Sequence, residues 1–574
     1  MPTQWQAKHL GESEPPRPMP QVVWSILSSR GILSTEDVDN FLAPQLKSIA
    51  APGSIDQLQL AVDRLIQAHT NGESIMVYGD FDLDGSSGLA LTVEALRAMG
   101  FKEVSHYQPR RLSEGYGFHT HAVEQAHKNG VDLIVTVDVG ITAIEATSKA
   151  NELGVDVILT DHHLPKETLP EALAVLNPNK GFCSSELGHL CGAGVAFYLI
   201  MGLRKELANR GVVEAKQLNI KDLLDFFVIG TLTDMVPVVR ENRVLVKHGL
   251  KVLEQTPRAG LQALLKELKM FGRPLTSQDV AIRFAPKLNA LSRMDGEILP
   301  VDIFLEKDHG RAKQLVKQVM ATNDQRVKSQ RKAEMLAEEI LKSKDQKGFV
   351  FVHSDQFHKG VVGLVATKLS QNYGVPAFVG SEAENGMVAG SARLPSEGFP
   401  SLLDALEHGS KHLTQFGGHA PAAGFEFKIS EAENLEKAFA DYYMKFYMGE
   451  IETSDEISYD VESSFADITP DFMKWFDTLQ PFGTDFESPL FRFNEIQIKG
   501  VKELRGGHFR FDLWDTKVMT LRQGLWFSPP AQHEVLPLLD GQKPTVDILA
   551  EPQWNYFAGA KTLQLLIKDI RLSS

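Results

Sequence analysis

The chain has 574 residues, 43% hydrophobic and 23% charged, which excludes a long disordered protein and leaves apolar sequence for three or four folded domains. Two cysteines, no apolar run near the roughly 18 residues that span a bilayer and no apolar signal core at the N-terminus predict no disulfide framework, membrane span or secretory signal, and a reducing, cytoplasmic setting. The net charge of −15 argues against a nucleic-acid partner only if it is evenly spread.

Residues 1–70 read as an N-terminal helical segment of short amphipathic helices. Over 71–302 the pattern becomes α/β. Short β-branched runs such as SIMVYGD, LIVTVD and VDVILTD alternate with helical stretches, which predicts a parallel sheet. Residues 303–345 read as one or two long charged connecting helices. Residues 240–340 carry 19 Lys and Arg against 13 Asp and Glu, so the middle of the chain is basic. A second α/β unit follows at 346–448. The range 449–574 reads as an acidic linker and then regularly spaced short strands, the pattern of an oligonucleotide-binding (OB-like) β-barrel. The linker range 451–490 carries one basic residue against ten acidic ones.

The densest chemistry is Asp80-Phe81-Asp82-Leu83-Asp84-Gly85, at the end of a predicted strand. Alternate carboxylates on one face repel, and a divalent cation is the simplest way to offset that. An EF-hand loop starting at Asp80 would need Glu at its twelfth position, where Leu91 stands. Asp138 ends LIVTVD, Asp161-His162-His163 end VDVILTD, and Asp234 follows an apolar segment in VIGTLTD. In an open parallel sheet these ends share one edge. Imidazole with carboxylate suits manganese, iron or zinc, and oxygen ligands suit magnesium. Two metals bridged by a carboxylate would activate water for phosphoester hydrolysis. A zinc site from Cys183, Cys191 and His189 falls short of four ligands.

The motifs VYGDFDLDGSSG, IVTVDVG, ILTDHH, GTLTDMVP and APKLNALSR, in that order, resemble those of the DHH phosphoesterase superfamily. FHKGVVGLVATKL, GSARLPS and FGGHAPAAG resemble its second, DHHA1-type domain. With the N-terminal segment and the strand-rich tail, the layout resembles the bacterial RecJ family of single-strand-specific 5′→3′ exonucleases. The resemblance implies an α/β fold: a parallel-sheet DHH domain, a long connecting helix, a DHHA1-type domain and an OB-like barrel. It implies two Mn²⁺ or Mg²⁺ ions held by Asp82, Asp84, Asp138, His162 and Asp234, with Asp138 as the bridge. Asp80 would be a ligand or its support, His163 would contact the scissile phosphate, and Asp161 would orient the histidines. Val139 stands where the family usually has Asn, and DLDG and LNALSR replace the commoner DADG and INAAGR.

Substrate contacts are expected from Arg111 and Tyr116, a phosphate-binding cation beside a base-stacking ring. The resemblance adds Arg293, Ser391 and Arg393 for a 5′-terminal phosphate, and Gly417, Gly418 and His419 as a backbone contact to nucleic acid. In the tail, Phe509, Phe511, Trp514 and Trp526 read as core, and Lys499, Lys502, Arg505 and Arg510 as a positive strand pair. The family implies single-stranded DNA as substrate, work beside a helicase and a single-strand-binding protein in repair and recombination, no membrane contact and a monomer. Two alternatives keep the chemistry or lose it. One is a DHH phosphodiesterase for pyrophosphate, short oligonucleotides or cyclic dinucleotides, which the extra N-terminal and C-terminal segments disfavour. The other is a non-catalytic replication scaffold, which the filled ligand positions disfavour.

Overall fold

The computed structural model describes residues 4–8, 14–181, 186–294, 296–342, 348–396, 399–447, 456–527, 529, 533, 535–539, 544–557 and 560–573. The chain forms two compact units. The larger is Leu46–Met448 with Pro481–Phe486, and the smaller is Met1–Gln45 with Gly449–Gln480 and Glu487–Ser574.

The larger unit is built on strands β1 (Ile75–Gly79), β2 (Val104–Tyr107), β3 (Leu133–Val137), β4 (Asp156–Thr160) and β5 (Ala174–Leu176). They pair in the order β2-β1-β3-β4-β5, every pair parallel. β1 and β3 are five-residue apolar runs buried along their whole length, as a strand covered on both faces must be. Alternate side chains feed opposite cores. Ile75, Val77, Val135 and Ile158 pack into one cluster, and Met76, Tyr78, Ile134 and Val157 into the other. From β1 the chain crosses to one side for β2 and to the other for β3. The crevice at that reversal lies beyond the carboxyl ends of β1 and β3.

Helices α1 (Leu83–Ala98), α2 (Thr120–Lys128), α3 (Ile144–Glu152), α4 (Gly192–Asn209), α5 (Leu224–Thr233) and α6 (Ala285–Arg293) follow in chain order. The expected connection is one 33-residue helix, α7 (His309–Leu341), with Asp308 accepting from the Arg311 amide at its start. The second sheet comprises β6 (Val350–Ser354), β7 (Ala377–Glu382), β8 (Met387–Arg393), β9 (Gln415–His419) and β10 (Ala422–Lys428), in the order β9-β10-β8-β7-β6. Only β6 and β7 run parallel. Helix α8 (Val362–Tyr373) packs on one face of it, and α9 (Ala432–Tyr447) supplies Leu435, Phe439 and Tyr443 to the other.

The smaller unit is a six-stranded sheet of β11 (Val461–Glu462), β12 (Phe491–Leu504), β13 (His508–Asp515), β14 (Thr520–Trp526), β15 (Thr545–Phe557) and β16 (Ala560–Leu572). Pairing of β12 with β15 closes β12–β16 into a barrel, with the short β11 as an edge strand on β12. Phe511 and Trp526 are core, as expected, while Phe509 and Trp514 are only half-buried. Lys499, Lys502, Arg505 and Arg510 are exposed, and Lys502 sits directly across from Arg510.

Two expected segments fold differently. The acidic stretch is no linker from Glu456 on. It holds β11 and helix α10 (Pro470–Leu479), capped by Thr469, buries Ile468, and packs Phe465, Phe472 and Phe476 against Phe491 and Phe493. Charge counting missed this because its apolar residues are spaced among the acids. The N-terminal segment is also not one piece. Gln4–Ala7 is a strand paired with Glu456–Tyr459, and Arg30 donates to the buried Asp460 carboxylate at 3.0 Å. Helix Leu58–Asn71 instead joins the larger core. Among the described residues no helix is long and apolar enough to cross a membrane.

Candidate active site

The first strand delivers three carboxylates. Asp80 is buried directly after β1, and its carbonyl accepts from the Gln108 amide at 3.0 Å. Asp82 caps α1, with Oδ1 accepting from the amides of Asp84 (2.9 Å) and Gly85 (3.0 Å). A side chain at Gly85 would lie 2.5 Å from the Asp80 nitrogen, so this turn requires glycine. Asp84 points to the start of α4, where the amides of Gly192 and Ala193 donate to it at 2.6 and 3.0 Å. That helix N-terminus holds the carboxylate through its orphan amides and its dipole.

Asp138 follows β3 in the left-handed region (φ 63), a strained setting for a non-glycine residue, with its amide donating to the Thr160 carbonyl at 2.9 Å. The neighbouring Gly192 is obligatory, because a Cβ there would lie 2.3 Å from Asp138 Cβ. Gly230 on α5 leaves room for Asp84 in the same way, at 2.5 Å. His162 Nε2 stands 3.2 Å from Asp138, 3.4 Å from Asp234 and 3.9 Å from Asp84. Asp161 fixes His163 through Nδ1 (2.8 Å) and also accepts from the amides of both histidines. Asn177 and Asn179 donate to the backbone carbonyls of His163 and His162.

These residues form three overlapping groups with ligand atoms within 4.8 Å of one another: Asp138 with His162 and His163, Asp84 with His162 and Asp234, and Asp80 with Asp82 and Asp138. Asp138 belongs to two of them. Asp80 Oδ1, Asp138 Oδ1 and His162 Nε2 are buried with no hydrogen-bond partner. An orphaned buried carboxylate oxygen is costly unless a cation meets it, so the donor set fits divalent metal. Burial, and then the neighbouring carboxylates, push Asp80, Asp82 and Asp138 above the usual carboxylate range and Asp234 up to about 8. Burial lowers His162, which suits a neutral ligand. Against the desolvation it suffers, the bond to Asp161 carries His163 up to about 9.

A second cluster has the opposite sign. Arg111 lies over the Phe81 ring at 5.1 Å, and Tyr116 meets that ring edge-on at 6.5 Å. The Tyr116 hydroxyl is 3.2 Å from His163 Nδ1, so the expected aromatic platform touches the centre itself. Ser391 and Arg393 sit two apart on β8 and face one way. A Cβ on Gly363 would come within 3.3 Å of Ser391 Oγ and 3.2 Å of Arg393 Nη2. The turn before α8 closes on Arg293, where a Cβ on Gly360 would collide with the Arg293 carbonyl. Burial, and then Arg111, Arg393 and Arg326, push the Arg293 guanidinium down to about 9. Among the described residues none of these four arginines forms an ion pair, and burial lowers Arg111 against the longer-range pull of Asp82 and Asp80. Arg326, on α7, is held by Asn323 (2.8 Å) and Gln330 (2.9 Å), and the motifs did not single it out.

Some expected features stand apart. Gly417, Gly418 and His419 lie on the exposed edge strand β9, and among the described residues no hydrogen bond or ion pair links them to either cluster. The Val139 side chain packs into the apolar cluster with Tyr78 and Leu159, and only its carbonyl accepts a bond, from Thr136. Cys191 is buried, and His189 pairs with Glu241 at 3.0 Å. Cys183 lies outside the described residues.

Three family models match the chain: the DHH family N-terminal domain over 74–231, the DHHA1 domain over 345–445 and the RecJ OB domain over 459–569. A single-stranded-DNA-specific exonuclease RecJ of Dickeya dadantii is 32% identical, over 99% of each chain. A crystal structure of exonuclease RecJ bound to manganese is 30% identical and aligns with a TM-score of 0.59, over 69% of this chain and 97% of that one. The crystal structure of RecJ in complex with Mn²⁺ from Thermus thermophilus shares the fold, with a TM-score of 0.78, over 100% of this chain and 80% of that one at 24% identity. With the three domains in this order and the likeness running end to end, the chain belongs to the RecJ family of single-stranded-DNA-specific exonucleases.

Proposed function

We propose that the protein is a metal-dependent exonuclease that hydrolyses single-stranded DNA from the 5′ end, releasing mononucleotides. The observation that carries this reading is the pairing, in one unit, of a carboxylate–imidazole cluster with orphaned buried atoms and an arginine cluster that, among the described residues, forms no ion pair. The first suits divalent cations and the second a terminal phosphate, which carries more charge than a diester.

Asp82, Asp84, Asp138, His162 and Asp234 would hold Mn²⁺ or Mg²⁺, with Asp138 between two ions and Asp80 beside them. When bound, the ions supply Lewis acidity for attack by water on a phosphodiester. His163, kept charged by Asp161, donates a hydrogen bond to a non-bridging phosphate oxygen. Arg111, Arg293, Ser391 and Arg393 bind the 5′-terminal phosphate, and Tyr116 stacks on a base. Gly417, Gly418 and His419 would offer backbone to the strand along β9. The relatives' substrate and the OB-type barrel support single-stranded DNA over cyclic dinucleotides. Action as a cytoplasmic monomer beside a helicase and a single-strand-binding protein is part of the same reading.

The test compares a long 5′-labelled single strand, a 3′-labelled one, a blunt duplex and RNA, with Mn²⁺ or Mg²⁺. The expected result is early release of label as mononucleotide from the 5′-labelled strand alone. Intact long strands beside hydrolysed dinucleotides would overturn it.

A further inference from the structure

The segment Pro481–Phe486 belongs to the larger unit, although the chain on both sides of it belongs to the smaller. It is seated on the loop that follows Asp234. Asp234 is the C-cap of α5, and the next residue, Met235, stands in the left-handed region (φ 61). Thr484 Oγ1 donates to the Met235 carbonyl at 2.7 Å, and the Val238 amide donates to the Thr484 carbonyl at 2.9 Å. Arg243 donates to the Pro481 carbonyl at 2.8 Å and covers the Phe486 ring at 4.7 Å. Gly483 lies so close to Val238 that a Cβ would come within 2.3 Å of Val238 Cγ2.

We infer that Pro481–Phe486 is a positioning strap that fixes the turn after Asp234 and so sets where the Asp234 carboxylate meets metal. On one side Asp234 is held by helix α5, through its amide to the Gly230 carbonyl at 3.0 Å. On the other side a left-handed methionine turn has no glycine to ease it, and helix ends fray unless something holds them. The strap does so with a side-chain bond, a backbone bond and a tight packing contact. Ligands depend on such supports, whose loss typically weakens metal binding about 10- to 100-fold. The inference rests on Asp234 being a ligand.

The test is calorimetric titration of the metal-free full-length protein with Mn²⁺, with circular dichroism of every variant. Asp234→Asn should remove or strongly weaken one of two binding events. Gly483→Ala should weaken that event about tenfold. Adding Val238→Ala, which makes room for the new methyl group, should bring it back to within about threefold. Thr484→Val should weaken the event by less, Thr484→Ser should not, and this pair decides the matter if Gly483→Ala does not fold. If Asp234→Asn loses an event while Gly483→Ala and Thr484→Val titrate like the unaltered protein, the strap is passive and the inference fails alone. If Gly483→Ala weakens binding and Val238→Ala does not restore it, general loss of packing is acting and the inference also fails. If Asp234→Asn changes nothing, the ligand assignment fails and takes the strap with it.

Discussion

The metal cluster and the arginine cluster are opposite solutions to one electrostatic problem. In the first, burial and then neighbouring carboxylates, Asp84 and Asp82 foremost, raise Asp80, Asp82, Asp138 and Asp234, and three buried ligand atoms have no hydrogen-bond partner. In the second, burial and then Arg111, Arg393 and Arg326 depress Arg293, and among the described residues no ion pair answers the cluster, Asp82 and Asp80 acting only at longer range on Arg111. Buried structural charges are normally paired within the chain, and this chain does so elsewhere, as where Arg258 meets Asp225 and Glu94, both at 2.7 Å. Charge left uncompensated on that background marks what the molecule binds: cations at one cluster, a phosphate end at the other.

The sharpest break in the comparison is Asp138→Ala. It removes the carboxylate shared by two of the three ligand groups, so cleavage should fall on the order of 10³-fold or more. Binding of single strands without divalent metal should persist, because the arginine cluster is untouched. Activity in added Mn²⁺ close to that of the unaltered enzyme would end the bridging role. Arg393→Ala should do the reverse. It should leave Mn²⁺ binding intact and lower the rate ratio between 5′-phosphorylated and 5′-hydroxyl strands about 10- to 100-fold, the worth of a charge-assisted contact. An unchanged ratio would detach the cluster from end recognition.

Much of the first cluster was legible in the sequence, because Asp80, Asp138 and Asp161 each end a short β-branched run and such runs read as parallel strands. What holds it was not. The Gly192 and Ala193 amides that grip Asp84 lie 108 and 109 residues from it, and Gly192 and Gly230 matter only because α4 and α5 are brought against the same carboxylates. The second cluster was read from motifs alone, and Arg326 escaped because it is one cation among many on a charged helix. Pairings such as Gln4–Ala7 with Glu456–Tyr459 are equally silent, since no local pattern records a partner some 450 residues away.

A smaller effect concerns His163, which stands between the two clusters. Asp161→Asn removes the partner that keeps it charged. The rate should fall about 10- to 100-fold at neutral pH. The alkaline limb of the pH–rate profile should move from near 9 towards the ordinary histidine value of about 6.5. A lower rate with an unmoved limb would mean that Asp161 shapes the loop without tuning His163.

The smallest effect separates the clusters by pH in the metal-free protein. Asp234 titrates near 3.8 when unfolded and near 8 when folded, so between those values the folded state holds more protons. Stability then falls as pH rises through that window. His163, raised to about 9, acts in the same direction above its unfolded value of 6.5. Arg293, depressed to about 9, stays mostly charged up to pH 8.5. Raising the pH from 6.5 to 8.5 should therefore lower the Tm of the metal-free protein by a few degrees. Mn²⁺ must displace those protons, so the Tm increase it gives should grow over the same interval. Sulfate, a non-titrating anion for the arginine cluster, should give an increase that does not grow with pH. If Mn²⁺ and sulfate share one pH dependence, the two clusters are not electrostatically distinct, and the division of labour between them is wrong.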